Sequence, residues 1–168
     1  MVGRLRGSGG FIISLVVLSL LPVAACGQGS SDRDSEGLRE LASQYTAAWS
    51  SRDAAKVASF FAEGGSLKIN EGDPSVGREA IAAAAQEFMT AFPDMVLEMD
   101  SLRVEGGSVE YHWTFRGTNT GPGGSGKTVR FSGYEEWTIG ADGLVADSKG
   151  YFDEADYRRQ LDPGVEGS

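Results

Sequence analysis

The spacing of apolar residues in this chain changes at Pro93, and that change limits the folds open to it. Before Pro93, apolar side chains recur at intervals of three and four residues, as along one face of a helix. After Pro93, they alternate with polar residues, as in strands with one buried face. Because helices and sheets bury their apolar faces against each other, the sequence predicts an α+β domain of helices packed on a mainly antiparallel sheet.

The first half of the chain predicts three helices around one short strand. An amphipathic first helix begins at Leu38, and Asp53 can cap a second, shorter helix. Gly64-Gly65 is expected to end that second helix in a left-handed conformation. A short strand over residues 66–70 follows, and Gly77 opens the third helix.

The second half of the chain, residues 95–152, predicts a meander of four antiparallel strands. The alternation of apolar and polar residues slips between Met99 and Leu102, which indicates an irregularity in the first of these strands. Gly106-Gly107 and Asp142-Gly143 are typical of tight hairpin turns. The sheet is therefore expected to fold back on itself beside the helices.

The N-terminus has the features of an export signal. Arg4 and Arg6 precede a mainly apolar run of 11 residues, from Phe11 to Leu21, which suits a signal but is too short to anchor a protein across a bilayer. The run is followed by Pro22-Val23-Ala24-Ala25-Cys26, and these small residues before a cysteine are similar to the lipobox of bacterial lipoproteins. That resemblance implies that residues 1–25 are removed and that Cys26 carries a lipid, on the extracytoplasmic side of a membrane of the cell envelope. An ordinary secretory signal and a buried core helix are the alternatives.

The chain that follows this signal is strongly acidic. Without residues 1–25 it has 13 basic and 24 acidic residues, a net charge of −11. This charge repels phosphate backbones and anionic headgroups, so no nucleic acid is expected as a partner, and membrane attachment depends on the lipid.

Residues 26–37, rich in Gly, Ser and Asp, predict a flexible tether. Residues 38–162 are enough for one domain, and residues 163–168 are expected to form a disordered tail.

Two patterns that suggest a cofactor or a metal are rejected. The segment Gly121–Thr128 matches the phosphate-loop pattern G-x-x-x-x-G-K-T, but the residues after it have strand periodicity where a phosphate loop needs a helix. It is interpreted as a hairpin loop. With His112 as the only histidine and Cys26 as the only cysteine, the sequence has no metal-ligand spacing, and no cofactor is predicted.

Several short motifs between residues 38 and 161 occur in one order along the predicted helices and strands. They are Trp49-x-x-x-Asp53, Gly77-Arg78-Glu79-Ala80-Ile81, Phe92-Pro93-Asp94, Trp113-Thr114-Phe115-Arg116-Gly117-Thr118, Asp142-Gly143-Leu144-Val145, Tyr151-Phe152-Asp153 and Arg159-Gln160-Leu161. Together they resemble the SnoaL-like branch of the nuclear-transport-factor-two-like superfamily. The resemblance implies a cystatin-like, cone-shaped barrel, in which three N-terminal helices pack in a strongly bent, mainly antiparallel sheet.

The same resemblance implies a conical pocket for a small, largely apolar molecule. The family includes polyketide cyclases, isomerases and dehydratases beside members without known activity, so ligand binding and catalysis both stay open. Because sheet-face dimers are common in the family, a homodimer through the sheet face, or a contact with another envelope protein, is a third expectation. The residues expected to line the pocket are Tyr45, Trp49, Phe60, Phe88, Trp113, Tyr134 and Trp137.

His112 and Asp153 are the candidate groups for proton transfer. A histidine can exchange a proton near neutral pH without a special environment. Alternation places His112 on the strand face opposite to Tyr111, so it reaches the pocket only if the Tyr111 face points outward. Asp153 corresponds to a region in which SnoaL cyclases have an acid–base aspartate, although Lys149 stands where the family pattern has tryptophan. The alternative role for Asp153 is the N-cap of a terminal helical turn over residues 154–161.

Overall fold

The structure, a computed structural model, describes residues 28–105 and 108–162, with side chains from residue 35 onward. The predicted signal with Cys26, the Gly106-Gly107 turn and the predicted tail at residues 163–168 lie outside the described residues. Four helices and six strands are present in the part that is described. They are α1 (Gln28–Ser51), α2 (Ala54–Ser59), β1 (Phe61–Ile69), β2 (Ser75–Val76), α3 (Arg78–Ala91), β3 (Val96–Glu105), β4 (Ser108–Thr118), β5 (Thr128–Ile139), β6 (Val145–Phe152) and α4 (Glu154–Leu161).

All six strands belong to one mixed sheet, in the order β2-β1-β6-β5-β4-β3. Neighbouring strands are antiparallel except β1 and β6, which run parallel. The predicted α+β class and four-strand meander are confirmed. The irregularity expected in β3 is also confirmed, since the pairing with β4 shifts between Met99 and Ser101. Gly143, with φ of 78°, forms the predicted turn between β5 and β6.

Two predicted boundaries are wrong. Residues 28–37, predicted as part of a flexible tether, form the first turns of α1, because a helix that is already nucleated extends at little further cost. β1 begins at Phe61, so Gly64-Gly65 lies inside this strand and does not end α2. A Cβ atom on Gly65 would lie 2.9 Å from the carbonyl oxygen of Val145, so this glycine permits the close approach of β1 and β6.

The inner face of the sheet is the face that carries Tyr111 and Trp113. Helix α1 packs on it, with the ring centroid of Tyr45 5.7 Å from that of Tyr111 and 5.3 Å from that of Trp137. Tyr45 and Tyr111 are fully buried in this layer. His112, on the opposite side of β4, therefore lies on the outer face of the sheet.

The glycine-rich segment between β4 and β5 is a hairpin loop, as predicted. β5 begins at Thr128, so a strand follows the loop where a phosphate loop needs a helix. Asn119 organises the loop: its Oδ1 accepts the N–H of Ser125 at 2.7 Å, and its Nδ2 donates to the carbonyl oxygen of Ala91 at 3.2 Å. The loop is thereby held against the end of α3.

Candidate functional site: an apolar cavity with one buried carboxyl group

An apolar cavity of about 60 Å³ lies between the helices and the inner face of the sheet. Three of its lining residues, Ile69, Phe88 and Phe152, are only half-buried, and we place the outlet of the cavity at these side chains. An apolar cavity of about 150 Å³ can hold benzene, so this one admits a smaller ligand as it stands. The cavity is lined by Trp49, Leu67, Ile69, Phe88, Met95, Leu97, Trp113, Phe115, Phe131, Glu135, Gly150 and Phe152.

Glu135 is the only ionisable residue of this lining, and it is 6% exposed. Its Oε2 atom accepts hydrogen bonds from Ser148 Oγ at 2.7 Å and from Trp137 Nε1 at 2.8 Å. The hydroxyl of Tyr45 lies 3.3 Å from Oε2 and 3.4 Å from Oε1. Among the described residues, Oε1 thus has one long contact, and it is the oxygen that can hold a proton or meet a ligand.

The protein surrounds Glu135 with neutral groups. Burial raises the pKa of Glu135, and the hydrogen bonds from Trp137, Ser148 and Tyr45 oppose this rise. Burial, with the charge of Glu135 as the next cause, also raises the pKa of Tyr45 well above 10.0, so its phenol stays protonated at neutral pH. Among the described residues, no Lys, Arg or His forms an ion pair with Glu135.

Alternation along β5 explains why Glu135 points inward. Phe131, Gly133, Glu135 and Trp137 follow one another on the inner face of this strand. Because Trp137 is two residues from Glu135 on the same face, its indole N–H reaches the carboxylate. Sequence reasoning missed Glu135 as a site residue, although an acidic residue within the apolar face of a strand is the signal that could have revealed it.

Two glycines make room for the cavity wall. A Cβ atom on Gly133 would lie 2.6 Å from Cζ2 of Trp113 and 2.4 Å from the carbonyl oxygen of Tyr151, so only glycine lets the Trp113 indole lie across β5. Gly150 of β6 pairs with Glu135 in the sheet, and a Cβ atom there would lie 3.6 Å from Cγ of Glu135. The cavity therefore depends on missing side chains as well as on the aromatic ones.

Two buried indole groups in the cavity wall have no hydrogen-bond partner in the described protein. They are the Nε1 atoms of Trp49 and Trp113, and each of these residues is 8% exposed. The Trp49 indole nevertheless lies close enough to the hydroxyl of Tyr45 to oppose the rise that burial causes in the pKa of this phenol. Buried donors in native proteins are normally paired, so each unpaired group calls for an explanation such as a bound molecule. Both residues belong to the lining, which makes a ligand atom in the cavity a natural partner for them.

The sequence itself assigns the chain to a family. The profile of the SnoaL-like polyketide cyclase family matches residues 39–161, which include nearly the whole described fold. The chain belongs to this family. No curated protein sequence is significantly similar to it.

Solved structures of low sequence identity share the fold of this SnoaL-like chain. TsrD from Streptomyces laurentii is 24% identical, with a TM-score of 0.66 over 76% of this chain and 96% of its own. A phenazine biosynthesis-related protein from Pseudomonas aeruginosa is 15% identical, with a TM-score of 0.68 over 84% of this chain and 96% of its own. A protein from Catenulispora acidiphila, described as having a ketosteroid isomerase-like fold in complex with trimethylamine, is 14% identical, with a TM-score of 0.66 over 77% of this chain and 97% of its own.

The SnoaL-like cavity includes three of the seven aromatic residues predicted to line it, namely Trp49, Phe88 and Trp113. Tyr45 and Trp137 are buried behind the wall, where both contact Glu135. Phe60 packs against Tyr45, with ring centroids 5.8 Å apart, and does not line the cavity. Tyr134 lies on the outer face of the sheet, stacked on Tyr151 at 5.0 Å.

The structure does not bring His112 and Asp153 together in the SnoaL-like cavity. His112 stacks on Tyr134 at 5.5 Å on the outer face, and its Nε2 lies 3.2 Å from Oε2 of Glu110. Asp153 is exposed and caps α4, where its Oδ1 accepts the N–H of Asp156 at 2.9 Å. The alternative role of Asp153 as an N-cap is thus confirmed. Among the described residues, no three His, Cys, Asp or Glu side chains are placed to hold a metal ion.

Proposed function

We propose that the chain is a lipid-anchored envelope protein that binds a small, largely apolar molecule in this cavity. The observation that carries the proposal is the lining, in which eleven of twelve residues are apolar and the twelfth is the buried Glu135. Ligand sites of proteins combine apolar walls with a few polar groups that fix orientation. Glu135 and the two unpaired indole groups are the polar contacts that this cavity offers.

The binding proposal is tested with a variant that narrows the cavity without disturbing the fold. In Gly150→Ala, the new methyl group would lie at ordinary contact distances, 3.5 Å from the carbonyl oxygen of Lys68 and 3.6 Å from Cγ of Glu135. Gly64→Ala is the matched control, since no atom lies within 4 Å of a Cβ atom there.

Native mass spectrometry of the protein purified from its own host is the measurement. We expect a retained small molecule in the wild type and in Gly64→Ala, and a reduced amount in Gly150→Ala. Equal retention in both glycine variants would remove the cavity as the binding site. An empty wild type that also fails to bind any member of a panel of small apolar compounds would refute the binding proposal.

The anchoring part of the proposal rests on the sequence around Cys26, which lies outside the described residues. Within residues 28–105 and 108–162, no helix has both the length and the hydropathy needed to cross a membrane. We expect radiolabelled palmitate to be incorporated into the wild type and not into Cys26→Ser. Membrane association of an unlabelled Cys26→Ser protein, equal to that of the wild type, would contradict anchoring through this residue.

The second candidate function is proton-transfer catalysis in the same cavity. The specific observation in its favour is that Glu135, whose pKa is raised by burial, shares the site with the phenol of Tyr45. A carboxyl group tuned toward neutrality can act as a general base or acid. Deuterium exchange at carbons next to a ketone, catalysed by the wild type and lost in Glu135→Gln, would support an enzyme. Exchange at the uncatalysed rate with a ketone that binds would oppose it.

A further inference from the structure

The chemistry of Glu135 narrows the class of ligand. A buried carboxylate is unfavourable unless a proton or a positive group neutralises it, and the described protein supplies no ion pair for this one. Ser148 of β6 and Trp137 of β5 both donate to Oε2, while Oε1 has only the 3.4 Å contact with Tyr45 of α1. Oε1 is therefore the oxygen that a proton, or a donor from outside the described protein, can neutralise.

The cavity walls suit a positively charged ligand. Six of the twelve lining residues are aromatic, and two of these are tryptophans, Trp49 and Trp113. The faces of aromatic rings carry negative electrostatic potential, and tryptophan binds cations best among them. An alkylammonium ion can place its charge at the carboxylate and its methyl groups on the faces of these rings, although it has no acceptor for the indole N–H groups of Trp49 and Trp113, which it leaves unpaired.

The charge of the whole protein acts in the same direction. The formal net charge is −9, which raises the local concentration of cations around the molecule and lowers that of anions. The cavity volume of about 60 Å³ restricts the ligand to a few non-hydrogen atoms. The net charge disfavours a carboxylate or phosphate ligand.

We propose that the ligand of the cavity is a small organic cation, namely a protonated amine, and this inference rests on the proposed binding function. The N–H of the amine donates to Oε1 of Glu135, and its alkyl groups lie against Trp49 and Trp113. The other titratable groups that face Glu135 are the phenols of Tyr45, from α1, and Tyr111, from β4. Both phenols stay uncharged at neutral pH, so neither replaces the ligand as the positive partner of Glu135 or repels it.

Three probes of nearly the same shape test the class of ligand: isopropylamine, which is a cation at neutral pH, propan-2-ol and acetone. Each is titrated into the ¹⁵N-labelled protein at constant ionic strength, and the indole N–H signals of Trp49 and Trp113 are followed. We expect isopropylamine to bind at least tenfold more tightly than propan-2-ol. Glu135→Gln should abolish this preference and keep the affinity for propan-2-ol.

Glu136→Gln is the matched control, because it removes the same charge from the neighbouring residue, whose side chain is exposed. The preference for isopropylamine should survive in this variant. In the wild type, the preference for isopropylamine should weaken at acidic pH, where Glu135 binds a proton, while the affinity for propan-2-ol stays unchanged.

The outcomes separate this inference from the function on which it rests. Propan-2-ol or acetone binding as tightly as isopropylamine would overturn the cation class and leave the binding function intact. A preference for the amine that persists in Glu135→Gln would overturn the assigned contact. If none of the three probes shifts an indole signal, both the ligand class and the small-molecule function of the cavity fail.

Discussion

Glutamine and leucine are both close to glutamate in size, but the hydrogen bonds of Glu135 predict opposite effects of Glu135→Gln and Glu135→Leu on the stability of the protein. Both strong donors, Trp137 Nε1 at 2.8 Å and Ser148 Oγ at 2.7 Å, end on the same oxygen, Oε2. A glutamine whose amide oxygen takes that place keeps both bonds. Its amide N–H groups then face the hydroxyl of Tyr45, which can accept. Leucine leaves both donors without an acceptor.

The expected energies follow from these contacts. Each buried donor left unpaired costs about 1–3 kcal/mol, so Glu135→Leu should lower the free energy of unfolding by roughly 2–6 kcal/mol before any gain from its apolar side chain. Glu135→Gln removes a buried charge without removing a bond. At neutral pH it should therefore be at least as stable as the wild type.

The pH dependence gives the same prediction a second readout. Burial raises the pKa of Glu135 above its ordinary value of 4.5, so the folded protein holds this proton more tightly than the unfolded chain. Its contribution to stability is then fully present below pH 4.5 and is lost as the pH rises through the folded pKa. Each unit of rise in the pKa corresponds to about 1.4 kcal/mol.

Asp94 acts in the opposite sense but in a different range. The backbone N–H of Thr118 lowers the pKa of Asp94 from 3.8, so Asp94 affects stability only at more acidic pH.

Urea unfolding, followed by tryptophan fluorescence between pH 5 and pH 8, should show a decrease in stability for the wild type and for Glu136→Gln. The decrease should be absent in Glu135→Gln. A Glu135→Gln protein that is several kcal/mol less stable than the wild type at pH 7, or that keeps the wild-type slope, would refute this account of the buried carboxyl group.

Three further predictions concern other parts of the chain. Gly133→Ala should lower stability by about 1–3 kcal/mol and shift the near-ultraviolet circular dichroism, because its methyl group would overlap the indole of Trp113; wild-type values would contradict the packing described. Asp153→Ala should cost about 0.5–2 kcal/mol by removing the cap on the N–H of Asp156, whereas Asp153→Asn should cost much less, as measured by thermal unfolding; equal losses would argue against a capping role. Cys26→Ala should move the protein from the membrane fraction to the soluble extracytoplasmic fraction, and an unchanged distribution would refute the anchor.

Most of the fold could be predicted because its pattern is local. The change of period at Pro93 separates the α-helical half from the meander, and Asp142-Gly143 fixes a turn by its own backbone preference. The start of β1 could not be predicted in the same way. Gly64-Gly65 is typical of a helix end, and only the approach of β6 explains why it lies in a strand. Such contacts between distant segments leave little trace in the local sequence.

The candidate site was less predictable than the fold. Alternation in β4 separates His112 from Tyr111 but does not say which face is inward, and burial of Tyr111 decides it. Glu135 interrupts the apolar face of β5 together with Gly133, so this face does not have a continuous apolar pattern in the sequence. The spacing of Glu135 and Trp137 can be read from β5 alone, whereas the donor Ser148 becomes visible only when β5 and β6 are seen side by side.

The parallel pairing of β1 with β6 has a consequence for how the molecule is made. β6 is the last of the described strands to be synthesised, yet it inserts between β1 and β5, and register pairs such as Phe61 with Val145 join residues far apart in the chain. Pairings of this kind close large loops and form late in folding. A nascent chain that stops before Val145 lacks Gly150 and Phe152, which form one wall of the cavity. The cavity can therefore form only after β6 has been synthesised and has paired with β1 and β5.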